Sequence, residues 1–74
     1  MLRIFSNVMR DDLTRSFHQE LQKNGIINIP VLAEEIRQRN EIENVALEDI
    51  SEWLMYYAKG ANAAMVFEDP IGKE

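Results

Sequence analysis

The sequence predicts an all-α fold, a small bundle of three to four helices with a short strand or arm at the N-terminus. Apolar residues recur at helical spacing along most of the chain. Turn formers are few and far apart: Gly25, Pro30, Gly60, Pro70 and Gly72. The 74 residues leave room for one domain, 1–74, with an arm over about residues 1–7 and a tail over about 69–74.

The first helix is expected over Val8–Asn24. Ser6 or Asn7 offers a side-chain oxygen to a first-turn amide. Asp11 and Asp12 sit near the positive end of the helix dipole. Lys23 lies in the last turn, and Gly25 follows as a left-handed stop. Phe5, Met9, Leu13, Phe17 and Leu21 form a ladder in steps of four. Each such step overshoots a turn by about 40°, so the ladder winds and Leu2 to Phe5 are assigned to the separate arm.

The second helix opens near Pro30, whose missing amide suits a first-turn position. Ile29, Leu32, Ala33 and Ile36 then make one buried stripe. Glu35 and Arg39 have the spacing and orientation of a surface i, i+4 pair. Gln38 to Asn44, polar apart from Ile42, is the expected connection.

The third helix follows a cap at Asn44, with Glu48, Asp49 and Glu52 loading its N-terminal end. Leu47, Ile50, Leu54, Tyr57, Ala61 and Ala64 trace a heptad-like seam. Trp53, Tyr56, Gly60, Ala63 and Phe67 trace a second, about 100° round the helix. Gly60 is the weak point: either it is tolerated inside one long helix, or the helix ends after Lys59 and Asn62 starts another.

Composition narrows the possible chemistry. There is no cysteine, so disulfides and thiolate metal sites are excluded, and one histidine cannot make the usual zinc sets. A domain this short has a thin core, which leaves self-association as its compensation. The longest apolar runs, Leu54–Ala58 and Ala63–Phe67, are five residues each, far below the roughly 20 of a membrane span. With no apolar leader, a cytoplasmic setting and no membrane contact are expected. The formal net charge of −5 divides as +1 over residues 1–25, 0 over 26–40 and −6 over 41–74. The acidic half argues against broad contact with nucleic acid.

Candidate chemical groups are sparse. His18 lies beside the apolar row of the first helix with no partner at catalytic spacing, and a surface position is expected. Glu41, Glu43, Glu48, Asp49 and Glu52 do not follow the calcium-loop pattern; capping and solvation account for them. Ser6, Thr14, Ser16 and Ser51 lack a nucleophile-elbow context, and no glycine-rich phosphate loop exists. No catalytic residue, cofactor, metal or small-molecule substrate is therefore expected, and the chain reads as non-enzymatic.

Residues 25–36, Gly-Ile-Ile-Asn-Ile-Pro-Val-Leu-Ala-Glu-Glu-Ile, resemble the opening of a helix-turn-helix or winged-helix domain. That resemblance implies a trihelical unit that binds DNA, with Arg37 and Arg39 as backbone contacts. The chain departs from the motif in a connection longer than its three-to-four-residue turn and in carboxylates at the start of the groove-entering helix.

The aromatic seam points elsewhere. Tryptophan, tyrosine and methionine give large contact area with few lost rotamers. Trp53, Tyr56, Gly60, Ala63 and Phe67 are accordingly the expected protein interface, in a homodimer formed through the third helix or in a complex with another protein. DNA binding is the alternative. A third reading is an acidic inhibitor that mimics nucleic acid or masks a basic partner, resting on the −6 of residues 41–74.

Overall fold

A computed structural model describes residues 5–68. The elements run α1 (Asn7–Asn24), β1 (Ile27–Asn28), α2 (Ile29–Arg39), a 3-10 turn (Glu41–Glu43), α3 (Leu47–Gly60) and β2 (Met65–Val66). The fold is thus mostly helical, with three α-helices and one two-residue parallel strand pair among the described residues.

α1 begins and ends on its predicted punctuation. The Ser6 hydroxyl accepts from the Met9 amide at 3.2 Å and donates to Glu43 Oε2 at 2.9 Å, tying the cap to the 3-10 turn. At the other end Gly25 adopts φ 71° and donates its amide to the Leu21 carbonyl at 2.7 Å. The helix opens at Asn7, one residue before its expected start, because Ser6 caps it, and Phe5 is buried ahead of it. Residues 1–4, and the expected tail from residue 69, lie outside the described residues. Phe5, Met9, Leu13 and Phe17 are all buried, and Leu21 is half-buried. The winding row stays in the core because both β1 and α2 pack against α1.

α2 has Pro30 in its first turn. Its predicted stripe, Ile29, Leu32, Ala33 and Ile36, is buried throughout. The helix packs against α1, β1 and α3. The expected Glu35–Arg39 pair is not made. Arg39 instead crosses to Asp12 on α1, where two parallel hydrogen bonds to a buried carboxylate outweigh one exposed pairing.

α3 departs most from expectation. Asn44 is not its cap; it closes the 3-10 turn in the left-handed region at φ 54°. Ala46 caps the helix through its carbonyl, which accepts from Asp49 at 3.0 Å. The buried row is Ile50, Leu54 and Ala58. Leu47 is 39% exposed, and Ala61 and Ala64 are exposed, so the first heptad seam is not the core seam. The helix stops at Gly60, so Ala61 and Ala64 lie beyond it and the seam is cut short. The stop is made by Asn62 at φ 58°. Its amide bonds the Lys59 carbonyl at 3.1 Å while the Ala63 amide bonds the Ala58 carbonyl at 2.9 Å. This is a Schellman closure with asparagine at the left-handed position. Neither one long helix nor a fourth helix from Asn62 results.

The chain beyond the stop turns back to β1. Ile27 pairs Met65 and Asn28 pairs Val66 in parallel register. The Ile27 amide donates to the Ala64 carbonyl at 2.9 Å, and the Asn28 side chain accepts from the Glu68 amide at 3.3 Å. This strand pair lies inside the fold, while the strand or arm expected over Leu2 to Phe5 falls mostly outside the described residues.

Substituting the two described glycines should give opposite signs. A Cβ at Gly25 is strained by its positive φ, whereas at Gly60 it would meet nothing within 4 Å. Denaturant unfolding should find Gly25→Ala less stable by about 1 kcal/mol and Gly60→Ala unchanged or more stable by up to about 1 kcal/mol. Leu54→Ala should remove about 2–5 kcal/mol in the same assay, enough to unfold much of a domain this small.

Candidate interaction surface

Viewed down α3, the buried row occupies one side and the aromatic residues the neighbouring flank. Helical spacing puts Trp53, Tyr56 and Gly60 within about 60° of one another, with Tyr57 between them and the core. Tyr57 joins the two regions. Its ring meets Phe17 edge-on at 4.8 Å and 89°, and stacks on Trp53 at 4.7 Å and 12°. Both are favoured aromatic geometries. Phe17 is fully buried, so the stack is anchored in the core at one end. His18 lies beside it, edge-on to Tyr57 at 6.0 Å, with Nε2 3.4 Å from the Tyr57 hydroxyl. His18 is exposed, as expected of a surface position.

Tyr56, the sequence neighbour of Tyr57, is 69% exposed. His18, Tyr56, Tyr57, Gly60 and Ala61 line an open groove of about 340 Å3. Of the five predicted interface residues, Trp53, Tyr56 and Gly60 therefore share one helical flank. Ala63 and Phe67 do not continue it, because the helix ends at Gly60. Ala63 packs against the core and Phe67 follows β2 with 58% exposure. Helical spacing extended past residue 60 misplaced those two. It also left out Tyr57 and His18, which sit together only because α1 passes beside the C-terminal half of α3.

A second polar site joins α1 to the end of α2. Arg39 donates to Asp12 through Nε at 3.2 Å and Nη2 at 3.0 Å, and to the Ser16 hydroxyl at 2.6 Å. Asn40 Nδ2 donates to Asp12 Oδ2 at 2.6 Å and to the Ile36 carbonyl at 2.8 Å, and Ser16 donates to Asp12 Oδ1 at 3.0 Å. Burial pushes the Asp12 carboxyl up, but hydrogen bonds from Arg39, Asn40 and Ser16, with the Arg39 charge, outweigh it and hold the group below its ordinary value. The i, i+4 spacing of Asp12 and Ser16 was legible in the sequence; their common partner was not. Arg37 is held by Glu34, through Nε at 3.1 Å and Nη2 at 2.6 Å. Both arginines considered for DNA backbone are thus occupied by carboxylates. Among the described residues no cluster of three or more histidine or carboxylate groups is placed to hold a metal ion, and no helix is long and apolar enough to cross a membrane.

The chain matches no protein-family model. No curated protein and no solved structure matches it either.

The Asp12 cluster makes a signed prediction. A depressed carboxyl stabilises the fold above the unfolded pKa, about 3.9, and that contribution disappears as pH falls through the lower folded value. Asp12→Asn should be less stable than the parent by about 1–2 kcal/mol at pH 7. The difference, followed by denaturant unfolding, should shrink steadily below about pH 4. A gap that is constant down to pH 2.5 would assign the loss to shape and not to charge.

Proposed function

We propose that this chain is a non-enzymatic protein-interaction module that binds protein through the aromatic flank of α3, its own copy first. The observation that carries this reading is Tyr56: a large aromatic ring 69% exposed, next to a stack anchored on a fully buried phenylalanine. A tyrosine offers a large contact area with few rotamers to lose when a partner covers it. A thin core supports the same conclusion, since a second surface adds burial that 74 residues cannot supply alone.

The DNA-binding reading finds less support. Arg37 and Arg39 are engaged by Glu34 and by Asp12 with Ser16. The first turn of α3 carries Glu48 and Asp49, which would face phosphate. The acidic-mask reading rests on net charge and has no shaped site behind it.

Sedimentation equilibrium over a wide concentration range should find self-association. Tyr56→Ala should weaken it by about 2 kcal/mol, as interface anchors do, with the monomer's thermal stability nearly unchanged. Loss of thermal stability by the same amount at every concentration, with no change in sedimentation, would make Tyr56 part of the fold and end this reading.

A further inference from the structure

Self-association through α3 requires an orientation, and the charges on that helix select one. Glu52 and Lys59 are seven residues apart, so they lie about 20° from one another round the helix and about 10 Å apart along it. They share one edge of the Tyr56 flank. Both are exposed, and among the described residues neither takes part in an ion pair. Seven residues is too far for a pairing within the helix, which needs a spacing of three or four. Within the single chain the two charges therefore do nothing for each other.

We infer that two copies pair α3 against α3 in antiparallel orientation about a two-fold axis near Met55 and Tyr56. This rests on the proposed self-association. In an isologous antiparallel pair each edge of a helix meets the same edge of its partner with the order reversed. Glu52 then lies against the partner's Lys59, and Lys59 against the partner's Glu52. The contact occurs twice and the signs are complementary both times. A parallel pair would instead set that edge against the partner's opposite edge, where Trp53 and Tyr57 lie, and leave both charges without a partner.

The same axis accounts for the rest of the flank. Tyr56 sits at the centre, ring towards ring. Gly60 comes within about 3 Å, measured along the axis, of the partner's Glu52 and Trp53. Gly60 has no role that the single chain explains: its backbone is helical, and a Cβ there would meet nothing within 4 Å. Alanine would suit the isolated helix better. A glycine where the fold tolerates a side chain lets another backbone approach closely, and the antiparallel pair puts one there.

Sedimentation equilibrium of the full chain at low ionic strength tests the orientation. Glu52→Lys and Lys59→Glu should each raise the dimer dissociation constant about tenfold, because each places like charges together at two symmetric contacts. The double variant should return to within about threefold of the parent. An equimolar mixture of the two single variants should associate more tightly than either alone. Far-ultraviolet melts of dilute samples check that each variant folds. A parent dimer whose affinity both single changes leave untouched would overturn the antiparallel arrangement and leave self-association standing. A parent that stays monomeric at every concentration would overturn both.

Discussion

The buried stripe of α2 is the contact on which the rest of the structure depends. Ile29, Leu32, Ala33 and Ile36 are almost completely removed from water, and they face partners on more than one side. α1, β1 and α3 each pack against this helix. A chain of 74 residues cannot build separate cores, so one short helix is shared. Its apolar side chains convert local helical preference into a fixed arrangement of three helices. Alanine at position 33 lets a neighbour come close, while Leu32 and Ile36 fill the space on either side.

Packing alone does not set how far the helices slide past one another. The polar contacts at their ends do that. Asp12 receives Arg39, Asn40 and Ser16 at once, which fixes the end of α2 against the middle of α1. Every side-chain nitrogen and oxygen buried among the described residues has a hydrogen-bond partner, so this cluster adds specificity without leaving a costly unpaired group. Ser6 and Glu43 perform a similar service at the other end of α1. The β1–β2 pair then closes the molecule by bringing the segment after α3 back to the segment before α2.

That closure shapes the outer surface. Because Asn62 stops α3 and Ala63 turns inward, the aromatic side chains of α3 form a short flank and not a long seam. Phe17 and Tyr57 tie the flank to the core, while Tyr56 and Gly60 face outward. The proposed antiparallel pairing uses an exposed tyrosine, a glycine the single helix does not need, and two charges with no ion-pair partner among the described residues.

Much of this molecule is local and could be read without coordinates. The helical class, the extent of α1 from its serine cap to Gly25, and the whole buried stripe of α2 follow from spacing and capping, since those depend on residues within a turn or two of each other. Trp53 and Tyr56 were likewise visible as an aromatic row. Contacts between distant residues were decided by the tertiary structure. Arg39 chose Asp12, 27 positions away, over its neighbour Glu35 because a buried carboxylate accepts two bonds at once. Ile27 and Met65 became a strand pair although each segment is only two residues long. His18 and Tyr57 came together across 39 positions to complete the groove. Asn62 ended α3 in a left-handed turn that the packing of Ala63 on the core rewards. Sequence spacing measures neighbours along a helix. Which partner a side chain finally meets is set by how separate helices share the same limited apolar surface.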